Sequence, residues 1–241
     1  MRFALLCLFL LSLCTARPAL AQQAIVSLPS ADVTGKGRAF VMHETQLRPW
    51  SKASWNTTHF FTYGLGLHTE LAVTFFNLGI PQTGNATMAL GFKSVLPLID
   101  EARSPWSLRF VVGGMLLVSF NDRGVGYWHY GLLALTLPRV GTRLGAGVHQ
   151  ASAQLQEQEA LSFIGSIEQP LPFLHGLTVV AEWFSGKHDL SNLSIGACYH
   201  PNPTWIFVLG YKLPTQSWDA FQQKHGFVAE VGAFFGAPAK H

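Results

Sequence analysis

From Leu177 to Leu213 apolar and polar residues alternate with a period of two. Leu177, Val179, Ala181 and Trp183 share one face, while Thr178 and Glu182 share the other. The pattern resumes with Leu193, Ile195, Ala197 and Tyr199 against Ser194, Gly196 and Cys198. Beyond His200-Pro201-Asn202-Pro203 it continues with Trp205, Phe207, Leu209, Tyr211 and Leu213 against Gly210 and Lys212. Successive side chains of a strand point to opposite faces, so this pattern predicts three strands. The short Gly and Asn-Pro connections between them predict antiparallel hairpins.

The same rhythm runs through the rest of the chain. From Gly37 onward about twelve segments have strand character. They are Gly37–Leu47, Thr57–Leu67, Glu70–Leu78, Ala86–Leu96, Trp106–Ser119 and Gly126–Leu137, then Thr142–Ala151, Leu161–Gln169, Leu177–Ser185, Asn192–Tyr199, Trp205–Leu213 and Phe227–Phe235. Their connections alternate between short turns, such as Leu67–Glu70 and Pro138–Gly141, and longer polar ones, such as Arg48–Asn56 and Pro214–Gly226. Pro97–Pro105 and Gly186–Ser191 break the alternation. Tight turns on one side, longer loops on the other and an even strand number are the habit of outer-membrane barrels.

Charge sharpens this reading. On the face opposite the apolar stripe lie Arg38, Glu44, Glu70, Lys93, Arg109, Arg143, Glu168, Glu182, Lys212 and Glu230. No charged residue falls on the stripe in the middle of a segment. A charge facing lipid at the bilayer centre costs about 2–4 kcal/mol, which is a physical reason for such segregation. Trp183, Tyr199, Trp205 and Tyr211 sit near the ends of the stripe, where a membrane barrel carries its aromatic girdles. The expected fold is all-β, an antiparallel transmembrane β-barrel of about twelve strands.

Composition agrees. The chain is 49% hydrophobic and 12% charged, against roughly 25% charged in ordinary soluble domains. Past the N-terminus no run reaches the ~18 apolar residues of a membrane helix. Met1-Arg2, the apolar run Ala4–Leu13 and Ala19-Leu20-Ala21 form a secretory signal pattern, with cleavage expected before Gln22. Leu11-Ser12-Leu13-Cys14 only loosely resembles a lipoprotein signal. The expected organisation is a signal peptide at 1–21, an N-terminal lead-in at 22–36, the barrel at 37–236 and a tail at 237–241. Ile25–Leu28, in the lead-in, is apolar enough to tuck into a lumen or pair briefly. Without Arg2 and Arg17 the chain has 14 basic residues, from a total of 16, against 13 acidic ones. That near-neutral balance argues against a nucleic-acid partner. Cys198 is then the one remaining thiol, which excludes an internal disulfide.

Tyr63-Gly64-Leu65-Gly66-Leu67-His68-Thr69-Glu70-Leu71-Ala72-Val73, together with Trp183-Phe184-Ser185-Gly186, Tyr199 and Gly210-Tyr211, resembles a family of Gram-negative outer-membrane barrels. These are the transporter-like, phenol-degradation-pathway-like or porin-like β-barrels. The resemblance spans most of the mature chain. It implies an outer-membrane location and passage of a small solute, and it brings no catalytic residue and no cofactor. Outer-membrane lipids and the barrel-assembly machinery are the partners that follow from such a location. The chain departs from the usual terminal aromatic, since Phe235 is followed by Gly236–His241.

Three candidate chemistries remain. The ten histidines are scattered, with no helical pair spaced to bind a metal. A lipid-modifying hydrolase near the outer rim would draw on Lys187-His188-Asp189-Leu190-Ser191 or His149-Gln150-Ala151-Ser152, where His and Ser stand three apart. The ten inner charges, five of each sign, either line a narrow constriction or pair across a closed lumen, and Arg143 with Glu168 would test pairing. Phe60, Phe76, Phe184 and Phe234 on the inner parity argue against a wide pore, and inner glycines leave room for long side chains or a narrow passage. The leading expectation is a barrel passing a small solute through a narrow charged lumen. A closed structural barrel, the hydrolase and a soluble periplasmic β-protein are the rivals.

Overall fold

The computed structural model describes residues 26–50, 54–78, 86–100, 104–120, 124–153, 160–188, 190–215 and 225–236. The signal peptide expected at 1–21, the start of the expected lead-in and the expected tail at 237–241 lie outside the described residues. Twelve strands are present among the described residues. They are β1 (Ala39–Arg48), β2 (Ser54–Gly66), β3 (Thr69–Leu78), β4 (Thr87–Ile99), β5 (Ser107–Ser119) and β6 (Val125–Thr136), then β7 (Arg143–Ala151), β8 (Ala160–Pro170), β9 (Leu177–Phe184), β10 (Asn192–Tyr199), β11 (Trp205–Pro214) and β12 (Gly226–Phe235). Each pairs antiparallel with its sequence neighbour, and β1 pairs with β12, from Ala39↔Phe235 to Leu47↔Phe227. Closure removes the open strand edges that would otherwise template association.

The alternation read from the sequence sets which face points where. Val41, Leu90, Leu116, Leu133, Ile195 and Leu209 are among the large apolar side chains exposed on the outer surface, and every strand contributes at least one. A continuous apolar belt of this kind is rare on soluble monomers and marks a protein- or membrane-facing surface. These side chains face away from any core, as on a barrel whose outer surface meets lipid. Their alternation partners point inward. Met42, Ala89, Leu117, Leu132, Val180, Ile206 and Val228 join one apolar cluster inside the ring.

Two boundaries differ from the pattern by three residues. β4 continues through Pro97 to Ile99, where the sequence places the start of a long inner connection. The ladder to β5 slips between Pro97 and Ile99, so the ring without an N–H falls at an irregularity. β2 begins at Ser54 and slips against β3 between Thr57 and His59.

The lumen is occupied by the chain itself. Residues 26–35 enter the ring, and Val26, Leu28 and Ala31 are buried within the same apolar cluster as Phe40, Trp128 and Phe184. The segment leaves beside β2, where Gly37 N donates to Gly64 O and Gly64 N donates to Arg38 O. A Cβ on Gly64 would collide with the backbone oxygens of Thr34 and Gly35, so only glycine admits the passing chain there.

Candidate functional site

The inner charges converge on the segment that fills the lumen. Glu182, in the outer half of β9, accepts hydrogen bonds from Val26 N (2.7 Å), Ser27 N (2.8 Å) and Leu28 N (3.2 Å). Its carboxylate thereby satisfies three successive backbone donors, two of them fully buried. Glu70 accepts from Thr34 N at 2.6 Å and pairs with Lys93 Nζ at 3.0 Å, and Lys93 also reaches Ser30 Oγ at 3.3 Å. Asp32 sits between two guanidiniums, Arg109 at 2.7 Å and Arg143 at 2.7 Å. Arg109 also donates to Ala31 O at 3.2 Å.

Burial raises the Asp32 carboxyl, but Arg143 and Arg109 outweigh it and hold the group below the ordinary carboxylate value. Arg143 lies in register with Glu168 and approaches it at 3.4 Å, the pair singled out from the sequence. Glu44 and Glu230 face each other across β1 and β12, and Glu44 accepts from Gln46. Arg38 stacks over Phe234 at 5.0 Å. Lys212 is half-buried on β11. Glu70, Lys93, Arg109, Arg143 and Glu182 thus act directly on the lead-in, whereas Arg38, Glu44, Glu168, Lys212 and Glu230 meet barrel residues.

The four aromatics lie on the outer surface. Trp183, Tyr199 and Trp205 are exposed, and Tyr211 donates to or accepts from His225 Nδ1 at 2.5 Å. Trp183 and Tyr211 lie toward the loop side, Tyr199 and Trp205 toward the turns. Among the described residues no group of three or more His, Cys, Asp or Glu is placed to hold a metal ion. His241 lies outside the described residues.

Sequence reasoning missed two things. Asp32 carries no pattern of its own, since it belongs to no strand. The second is a serine–histidine contact: His188 Nε2 stands 2.5 Å from Ser162 Oγ, not from Ser191. Ser191 Oγ accepts from His188 N, and Ser152 Oγ accepts from Tyr127 N, so neither of the near-sequence serines meets an imidazole. His149 and His188 both turn inward, with ring centroids 5.5 Å apart. The only signal available beforehand was the inward parity of Ser162 and His149.

No protein-family model and no curated protein matches the sequence. Among solved structures, the chain is similar to the NanC porin in its rhombohedral crystal form. The two share 10% identity at a TM-score of 0.52, over 82% of this chain and 100% of the porin. This chain has a porin-like fold. The resemblance drawn from the sequence holds at that level, a closed porin-like barrel, and the narrower phenol-degradation-pathway-like grouping finds no match. A shared fold does not by itself transmit a function.

Proposed function

We propose that this protein is an outer-membrane barrel that passes a small solute only when its N-terminal lead-in leaves the lumen. The apolar outer belt and the porin-like fold support the membrane setting. The observation that carries the gating is the grip of Glu182 on three consecutive lead-in amides. With Asp32 between two arginines, the segment is held by reversible polar contacts. The inner charges therefore act first as a latch, and line a passage only once it is released.

The test is single-channel conductance of the refolded mature chain in planar bilayers. The wild type is expected to be mostly closed. Glu182→Ala and a variant lacking residues 22–35 are expected to open for most of the recording, with ion selectivity altered by Arg109→Ala. Sealed bilayers from all of these folded barrels would overturn the channel reading and leave a closed barrel, which the continuous apolar cluster across the lumen favours.

A further inference from the structure

Ser162, on β8, points into the barrel directly across the ladder from His149 on β7. Both lie at the end of the ring where β7 connects to β8, and both are buried. His188 folds back from the connection between β9 and β10 and brings Nε2 to 2.5 Å from Ser162 Oγ. That connection is tied by Ser191, which accepts from His188 N at 3.1 Å and donates to Ser185 O at 3.2 Å. Gly186 lies over the pair with a φ of +110°, and a Cβ there would stand 2.8 Å from His188 Nε2 and 3.2 Å from Ser162 Oγ. The backbone is thus fitted closely around a serine hydroxyl and its imidazole.

A buried Ser–His hydrogen bond can be structural, but the third group argues for more. Trp128 Nε1 lies 3.3 Å from His149 Nδ1. An indole nitrogen only donates, so His149 Nδ1 accepts, and the neutral ring carries its proton on Nε2. His149 Nε2 is buried with no hydrogen-bond partner among the described residues. An inward N–H left unsatisfied beside a hydroxyl–imidazole pair gives nothing to stability, yet it is what a developing oxyanion requires. The surroundings are apolar: Phe184 packs edge-on against His149 at 5.2 Å, and Ile164 and Ala151 are buried nearby on the same strands.

We propose that Ser162, His188 and His149 form an ester-hydrolysis site for carboxylic esters with an apolar acyl chain. Ser162 Oγ attacks the carbonyl carbon as its proton passes to His188 Nε2. The carbonyl electron pair moves onto oxygen, which the His149 Nε2–H stabilises. Collapse breaks the ester C–O bond, and the departing alkoxide takes the proton from His188 and leaves as the alcohol. Water then attacks the acyl-Ser162 ester, with His188 receiving its proton and returning it to Ser162, and the carboxylic acid is released. The site lies beyond the latched segment and does not depend on whether the lumen conducts.

The experiment uses the refolded mature chain, with folding verified for each variant by its heat-modifiable mobility. An alkyl fluorophosphonate is expected to form one adduct, located at Ser162 by mass spectrometry, with loss of fluoride. Ser162→Ala and His188→Gln are expected to abolish labelling, while Ser194→Ala labels as wild type. On p-nitrophenyl esters, His149→Phe is expected to lower kcat roughly 10²-fold with little change in KM. Fatty-acid release from phosphatidylethanolamine vesicles would identify membrane lipid as the ester source, and hydrolysis of soluble esters alone would identify a free ester. A folded wild type that takes up no label, or labelling that persists in Ser162→Ala, would overturn the proposal.

Discussion

Asp32 shows how one side chain settles a segment. Its carboxylate meets Arg109 and Arg143 at 2.7 Å each, and their charge outweighs the burial that would raise it. A carboxyl held below its ordinary value of 3.8 stabilises the docked state above that pH. The contribution is lost only as pH falls through the lower, folded value. A cysteine placed at Ser30 and probed with a pyridyl disulfide, which still reacts with thiols in acid, is therefore expected to stay protected at neutral and mildly acidic pH. It becomes reactive only below about pH 4, the ordinary carboxyl range. With Asp32→Asn, protection is expected to weaken already at neutral pH, because two half-buried guanidiniums lose their shared partner. Glu182→Ala strips the acceptor from three amides at once. Hydrogen exchange at Val26, Ser27 and Leu28 is expected to accelerate, with an upper cost of about 1–3 kcal/mol for each donor left unsatisfied.

Among the elements, the β2–β3 hairpin is the least comfortable. Leu67 and His68 form its two-residue turn with φ of 51° and 56°, and Leu67 is 97% exposed. A turn of this hand suits the twist of the flanking strands but favours Asn-Gly over Leu-His. Each non-glycine residue held in this region costs roughly 1–2 kcal/mol. Replacing Leu67-His68 by Asn-Gly is expected to raise the urea midpoint of unfolding, by a gain of about 1 kcal/mol. The outer face sets the opposite constraint. Leu209, 63% exposed near the middle of β11, faces the apolar belt. Leu209→Arg is expected to destabilise the folded barrel in bilayers by about 2–4 kcal/mol, measured by reversible denaturant unfolding.

For the whole molecule, closure of β1 on β12 creates an interior that must be filled or wetted. Twelve strands enclose more space than an eight-stranded barrel fills with its own side chains. Here Phe40, Phe60 and Phe234 fill part of it, and residues 26–35 fill more. The lead-in's grip crosses from β9 through β4 and β5 to β2, so its docking couples distant parts of the ring. Removing residues 22–35 is expected to leave a folded, heat-modifiable barrel, since the ladders do not depend on the segment. Its thermal unfolding should begin at lower temperature, measured by circular dichroism.

The amino-acid sequence by itself determined the strands, their antiparallel order and which residues face inward. Alternation is a local property, and a one-residue error would have put every charge of a strand into lipid. It also identified Arg143 and Glu168 as neighbours, because both fall on the inner parity of consecutive antiparallel strands, at the ends away from their connection. What each inner charge holds was decided only by the tertiary structure. Asp32 stands 77 residues from Arg109 and 111 from Arg143, on a segment with no periodicity to place it. Ser162 and His188 are 26 residues apart, and their meeting depends on a backbone turn at Gly186 that folds the imidazole back over the ladder. Alternation gives a side chain its face. Only closure of the ring, and the chain that fills it, gives it a partner.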